Sequence, residues 1–331
     1  MIAVVTGGNG FMGLQLVRDQ LARGNAVRAV DLHRERLDAL NAGPALEIFQ
    51  ADIGDAQAMK EIVAGADVVF HLASAHLVVS LGEEAYWRIN RDGARQLVRL
   101  CGEAGVGRFV HCSTVGVYGE ISDPPGDETT PCHPDLIYEK SKLAGEEAVR
   151  SEAERTGLPL VVIRPVWVYG PGCPRTQKLF RSLRKGSFVF IGSGRGLRHC
   201  IHIDDFNLAC ALCAVRPEAV GETLIIGDSG AITLRELLGH MAAACGCRPP
   251  WIHLPLFLAR PLFAAVERLS LQLKREPPVS TRTLKFFTNN TAFSIAKARR
   301  LLGFEPRYDV AEGMRRTWEE ISRPRPGSGG R

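Results

Sequence analysis

Short apolar runs alternate with stretches of helical period from the first residues of this chain. Ile2-Ala3-Val4-Val5 is apolar and rich in β-branched side chains, which predicts a strand. Thr6-Gly7-Gly8-Asn9-Gly10-Phe11-Met12-Gly13 then carries three spaced glycines. Leu14-Gln15-Leu16-Val17-Arg18-Asp19-Gln20-Leu21 repeats apolar positions at helical spacing, and Gly24 closes it. The alternation returns, with strands expected at 26–30, 46–50, 67–72, 108–112 and 160–163. Helices are expected over about 83–104 and, after a Pro/Gly-rich loop at 123–134, around Tyr138 and Lys142. Such repeated β-α-β units force a parallel sheet with helices on both faces, and its ligands sit beyond the carboxyl ends of the strands.

Polar and small residues collect at those ends: Asp31, Asp52-Ile53, Ala73-Ser74, Ser113-Thr114 and Arg164-Pro165. Past residue 170 glycine, proline and arginine become commoner and the elements shorter, while a strand near 223–226 is expected to rejoin the sheet. The chain therefore reads as α/β: a doubly wound parallel sheet in 1–170, with a returning strand within 200–227. A smaller mixed α/β lid should occupy most of 171–322, and 323–331 reads as a disordered tail.

The first turn carries the first chemistry. Gly7, Gly10 and Gly13 allow a sharp turn, close backbone approach to a pyrophosphate, and tight packing of the helix on the sheet. A dinucleotide site also asks for an acidic residue about twenty positions on, at the end of the second strand. Asp31 stands there, suited to the ribose hydroxyls and repelling a 2′-phosphate, so NAD is expected over NADP. Arg34 and Arg36 lie close enough to soften that preference.

Composition removes several alternatives. The 331 residues include 41 basic and 36 acidic side chains, and the surplus is spread out, so no nucleic acid is implied. Nine cysteines lack paired zinc spacing; Cys245-Gly246-Cys247 is too tight for a knuckle, and reduced thiols in a cytoplasmic protein are expected. No leader is expected before a strand that starts at residue 2. No apolar run reaches the roughly 18 residues of a membrane span. The nearest, 254–273, is broken by Arg260, Pro261, Glu267 and Arg268, and reads as an amphipathic stretch that roofs an apolar pocket or rests weakly on a membrane surface.

Tyr138-Glu139-Lys140-Ser141-Lys142 sets a phenol and an ammonium one helical turn apart. A lysine held near a tyrosine stabilises the phenolate and lowers its pKa from about 10. With a hydroxyl from a neighbouring strand end, this is a complete set for moving a proton at a carbinol oxygen while a hydride passes to nicotinamide.

Together these features resemble the extended short-chain dehydrogenases/reductases, the NAD-dependent epimerase/dehydratase superfamily, from residue 1 to about 320. The resemblance rests on the 6–13 turn, Asp31, Asp52, His71-Leu72-Ala73-Ser74, Asn90 and Ser113-Thr114-Val115-Gly116-Val117-Tyr118-Gly119. It continues through Tyr138 with Lys142, Arg164-Pro165, Val168-Tyr169-Gly170-Pro171-Gly172 and His202-Ile203-Asp204-Asp205. It implies a Rossmann fold, Tyr138 as acid/base, and Lys142 lowering the tyrosine pKa and binding the nicotinamide ribose. Thr114 is the implied hydroxyl on the substrate oxygen, ahead of Ser113. Cofactor contacts are implied for Gly7, Gly10, Phe11, Met12, Gly13, Asp31, Leu32, Asp52, Ile53, Leu72, Ala73, Ser74, Asn90, Ser113, Tyr138, Lys142, Pro165 and Val168. Helices at about 83–104 and 135–154 would pair two subunits in a homodimer.

Dehydratases and decarboxylases of this superfamily carry acidic residues after the catalytic hydroxyl, where this chain has Val115 and Gly116. Simple dehydrogenation or reduction, or 4-epimerisation, remains. Trp167 occupies the position of an asparagine in many nucleotide-sugar epimerases and suits an apolar substrate. Residues 275–279 and 286–290, and the 254–273 stretch, resemble the 3β-hydroxysteroid and sterol dehydrogenase branch. Arg198, four before His202, sits where epimerases place an arginine on the substrate diphosphate, although a loop arginine is more often only solvated. The leading expectation is an NAD-dependent oxidoreductase acting on a secondary alcohol or ketone of a steroid-, isoprenoid-, acyl- or polyketide-like substrate, with His76, Trp167 and Arg198 on the substrate side. A nucleotide-sugar 4-epimerase is the alternative, and a cofactor-binding non-enzyme ranks last because Tyr138 and Lys142 are both present. His71 and His111 read as packed strand residues, His199 and His202 lack metal-ligand spacing, so no metal is expected, and 297–300 reads as a solvated helix face.

Overall fold

In a computed structural model of the chain, residues 1–76, 81–273 and 281–323 are described. Residues 275–279 and the tail from 324 onward, on which expectations fell, lie outside them. The β-branched runs form β1 (Ile2–Thr6), β2 (Ala26–Asp31), β3 (Leu46–Gln50), β4 (Val68–His71), β5 (Arg108–Cys112), β6 (Leu160–Pro165) and β7 (Thr223–Ile226). They make a seven-stranded sheet in the order β7-β6-β5-β4-β1-β2-β3, with every neighbouring pair parallel. The strand order reverses between β1 and β4, which opens a crevice at their carboxyl ends.

Strands covered on both faces need apolar side chains on both, and the central strands have them. Val5, Phe70, Val110 and Ile163 pack into one layer beneath the helix Phe11–Ala22, while Val4, Val69, Phe109 and Val162 fill the other with Leu97, Val98 and Val149. Each such fully buried side chain contributes roughly 1.5–3 kcal/mol through removal from water.

The helical run expected over 83–104 spans Glu83–Trp87 and Ala94–Glu103 with a π-helical stretch, Arg88–Gly93, between them. The wider turn carries Asn90 against the long helix Ile137–Thr156, and a Cβ at Gly145 would lie 2.2 Å from the Asn90 carbonyl oxygen. That helix begins two residues later than the sequence periodicity suggests, so Tyr138 falls in its first turn.

Past the main sheet the elements are short. Trp167–Tyr169 pairs in parallel with Cys200–His202, Leu197–Arg198 is antiparallel to Ile232–Thr233, and Phe190–Ile191 runs parallel to His253–Leu254. A third core, around Tyr169, Phe180, Phe190, Leu237 and Met314, joins these pieces to the helices Leu234–Ala244 and Val310–Ser322.

Candidate active site

The site is assembled from the carboxyl ends of the strands, beginning with the 6–13 turn. Gly7 has φ +72°, and a Cβ there would lie 2.8 Å from the Ala73 nitrogen, so the first turn and the β4 exit touch backbone to backbone. A Cβ on Gly13 would lie 2.0 Å from the Gly7 carbonyl oxygen, which only the absence of a side chain permits. The Gly10 N–H donates to Gly7 O at 3.1 Å, and Gly10 caps the helix Phe11–Ala22 that begins with Phe11 and Met12. The result is a bare backbone cradle opening onto a helix amino terminus, a fit for a pyrophosphate.

At the end of β2 the Asp31 carboxylate accepts from Asn9 N at 3.0 Å and from His33 N at 3.1 Å. It both braces the glycine turn and stands where a ribose diol would arrive. Of the two nearby arginines, Arg34 forms an ion pair with Asp38 at 2.8 Å, while Arg36 lies against the same turn and donates to Asn9 O at 3.1 Å. Leu32 is exposed beside them. Further along, Asp52 accepts from Gly54 N at 2.8 Å and faces Arg88 at 3.6 Å, and Ile53 is buried against Gly93.

The β4 exit, Leu72-Ala73-Ser74, crosses Gly7. The Thr6 hydroxyl ties it down, lying 2.8 Å from His71 Nδ1 and accepting from Ala73 N at 3.2 Å. Burial pulls the His71 pKa down to about 3, so it is a neutral packed residue. Asn90 is occupied internally. Its Oδ1 accepts from Ala75 N at 2.8 Å and Ser74 Oγ at 3.0 Å, and its Nδ2 donates to Ala75 O at 3.1 Å and Ser141 Oγ at 2.9 Å. Its role runs through residues 74 and 75.

Thr114 follows β5 and caps the turn Val115–Tyr118, its hydroxyl accepting from Gly116 N at 3.1 Å. That hydroxyl is close enough to the Tyr138 phenol to favour its ionised form. His76 meets the Tyr138 ring edge-on, centroids 4.9 Å apart. Thr114, Tyr138 and His76 are thus brought together.

Lys142 departs from expectation. Its ammonium donates to the Cys112 carbonyl at 2.6 Å and does not figure among the charges that act on Tyr138. Burial, the main influence, raises the phenol pKa, and Cys112 and Glu139 push the same way; the Thr114 hydroxyl and the Arg175 guanidinium oppose them. The net shift of the phenol is therefore upward, set by burial, where lowering by the lysine was expected. Burial lowers the Lys142 pKa as well.

Ser113, the second candidate hydroxyl, donates to Glu146 within the core. Glu146 is held by Arg164, whose Nη2 and Nε donate to it at 2.6 and 3.0 Å, and the Arg164 guanidinium stacks over Tyr118 at 4.7 Å. This buried cluster, missed in the sequence, fixes the strand end that carries Thr114. One signal for it existed: Glu146 stands one helical turn after Lys142.

Pro165 ends β6 and Val168 is buried in the next short strand. Trp167 is half-buried and meets Phe286 edge to face, centroids 6.1 Å apart. Arg175, in the first turn of the helix Pro174–Arg184, lies 5.6 Å from the centre of the Trp167 ring, and its charge reaches Tyr138. No spacing in the sequence pointed to it. Arg198 is not a solvated loop residue: only 4% exposed, it donates to the carbonyls of Leu197, Phe286 and Asn289 and stacks on Phe286 at 5.2 Å. His199 pairs with Asp228 at 3.1 Å, and no metal-holding group of side chains occurs among the described residues.

Residues 3–227 match the model of the NAD dependent epimerase/dehydratase family. The chain belongs to that family, within the extended short-chain dehydrogenases/reductases. It is an NAD-dependent enzyme, and the glycine cradle and the Asp31 carboxylate fit the cofactor's pyrophosphate and ribose.

Two curated relatives in the family match nearly the whole chain. A 3 beta-hydroxysteroid dehydrogenase/Delta 5→4-isomerase of Mycobacterium tuberculosis is 32% identical over 328 residues, covering 94% of this chain and 88% of the relative. A 2-alkyl-3-oxoalkanoate reductase of Stenotrophomonas maltophilia is 30% identical over 329 residues, covering 96% and 98%. Among solved structures, a dTDP-glucose 4,6-dehydratase of Streptomyces venezuelae with NAD bound superimposes with a TM-score of 0.77 at 26% identity, covering 97% of this chain and 96% of that one. The family thus holds dehydrogenases, reductases and sugar-nucleotide enzymes on one frame. No helix of the described residues is long and apolar enough to cross a membrane.

Proposed function

We propose that this enzyme interconverts a secondary alcohol and a ketone on an apolar, flat or extended substrate. The observation that carries the reading is the edge-to-face Trp167–Phe286 pair, taken here as an aromatic wall of the substrate pocket, with Arg175 against Trp167 and its charge reaching Tyr138. The hydroxysteroid dehydrogenase and the oxoalkanoate reductase among the relatives are both named for alcohol–ketone chemistry on largely hydrocarbon skeletons.

In this reading the Thr114 hydroxyl and the Tyr138 phenol, which are near one another, serve the same substrate oxygen. Thr114 orients the substrate oxygen. Tyr138 donates its proton to a ketone oxygen during reduction and takes it back from the carbinol during oxidation. When bound, NAD exchanges the hydride with the carbinol carbon. His76 packs on the phenol edge and limits its swing. Lys142 supplies positive charge behind the helix turn and a donor for a ribose hydroxyl.

Val115 and Gly116, which follow Thr114, offer no acid or base for a dehydration step. The epimerase alternative has less support, since the two terminal nitrogens of Arg198 are spent on backbone carbonyls and position 167 is an indole. Asp31, with Arg34 paired to Asp38, favours NAD over NADP. The helices Ala94–Glu103 and Ile137–Thr156, side by side on one flank, are the proposed homodimer face.

The test is NADH formation from a panel of hydroxysteroids, isoprenoid alcohols, hydroxyacyl compounds and nucleotide sugars. Steady NADH release from an apolar alcohol supports the proposal. A nucleotide sugar converted to its 4-epimer without net NADH overturns it.

A further inference from the structure

Most large apolar side chains that this protein leaves in water lie in one place. Of eleven exposed large hydrophobic residues among the described ones, seven fall within 251–273: Trp251, Ile252, Phe257, Leu258, Leu262, Leu269 and Leu273. Trp251 is 80% and Phe257 73% exposed. Scattered exposed leucines need no explanation, but a contiguous set of this kind marks a contact surface.

The helix Leu256–Gln272 does not need that face to fold. Its opposite side, through Ala259 and Phe263, already packs on Ile191 and Leu284. On the outer side Leu258, Leu262, Leu269 and Leu273 recur at helical spacing, with Phe257 and Pro261 beside them. A 17-residue helix is about 25 Å long. With two arginines and a glutamate it is too short and too charged to span a bilayer, and suits lying along its surface.

Charge decides between occupants. Arg248, Arg260 and Arg268 accompany the patch and are exposed, against Glu267 as the one carboxylate in 248–273. A two-fold contact with a second copy would set arginines against arginines with few carboxylates to meet them. An anionic bilayer instead accepts the leucines and phenylalanine in its acyl boundary, the guanidiniums at its phosphates, and Trp251 at the headgroup level.

We propose that residues 251–273 dock this enzyme on an anionic membrane surface. The inner side of the docked helix contacts the helix Thr281–Thr288, whose Phe286 meets Trp167. A bilayer-dissolved substrate would thus arrive one helix away from the aromatic wall. That consequence rests on the apolar-substrate proposal; the docking itself does not.

The experiment is cosedimentation of the full chain with vesicles of phosphatidylcholine alone and of equimolar phosphatidylcholine and phosphatidylglycerol. About thirtyfold tighter partition onto the phosphatidylglycerol vesicles is expected from Arg260 and Arg268 of the docked helix alone, weakened by salt. The Trp251 fluorescence should shift to the blue on binding. The F257S/L262S variant should lose vesicle binding, and R260A/R268A should lose the preference for anionic lipid, while both keep NADH binding. Equal partition onto both vesicles, or none onto either, overturns the proposal. So does a dimer that F257S/L262S splits, because the face would then join two copies. Turnover of a water-soluble alcohol, measured without vesicles, is independent of all these outcomes.

Discussion

The Lys142 ammonium donates to the Cys112 carbonyl at 2.6 Å, one strand residue before the Ser113-Thr114 end that serves Tyr138. The catalytic helix and the β5 exit are therefore joined by a charged hydrogen bond as well as by packing. Replacing Lys142 with Met should lower turnover by about 10²-fold or more, since the charged bond that sets the catalytic helix against the β5 exit is lost. NADH affinity should fall with it. Unchanged kcat in a folded variant would contradict the role given to Lys142.

Burial raises the Tyr138 pKa and Arg175 opposes the rise. Oxidation needs the phenolate, so its rate should climb with pH through the tyrosine titration; reduction needs the phenol and should stay flat until that titration begins. The Arg175→Met variant loses a cation that favours the phenolate. Its oxidation profile should move to higher pH, with reduction at neutral pH largely kept. A pH–rate profile for each direction checks this, and an unmoved oxidation profile would remove Arg175 from the site.

Arg164 and Glu146 form a buried ion pair that also takes the Ser113 hydroxyl. Removing one partner leaves an uncompensated buried charge, at a cost of about 3–5 kcal/mol. Arg164→Met should therefore unfold at markedly lower urea concentration. The double variant with Glu146→Leu should recover much of the loss, because both charges are then gone. Equal instability in single and double variants would show that packing on Tyr118, and not charge, is what Arg164 supplies.

Asp31 braces Asn9 and faces the expected ribose position. Asp31→Ala should narrow the preference for NADH over NADPH by weakening NADH and admitting a 2′-phosphate. Fluorescence titration with each nucleotide checks it. A preference that stays the same would place the ribose carboxylate elsewhere.

The fold was legible because its determinants are local. β-branched runs such as 2–5 and 160–163 had to be buried strands, and glycines at 7, 10 and 13 had to be a turn, where close contacts exclude a Cβ at Gly7 and Gly13. Tyr138 and Lys142 were legible because one helical turn fixes their separation. What sequence did not show is held by distance along the chain. Arg175 reaches Tyr138 from 37 positions away, by chain position, across the 165–174 turn. Arg198 is buried by carbonyls from 286 and 289, which no spacing encodes. The reversed pKa of Tyr138 came from desolvation, a property of everything packed around the ring and not of the lysine one turn away.

The central claim is that hydride passes between cofactor and an apolar substrate and stays there. Turnover of an apolar ketone with NADH deuterated at the transferring position measures this directly. The account predicts one deuterium at the new carbinol carbon, and none when Tyr138 is replaced by Phe. A nucleotide sugar epimerised by the same enzyme with no deuterium gained would contradict it.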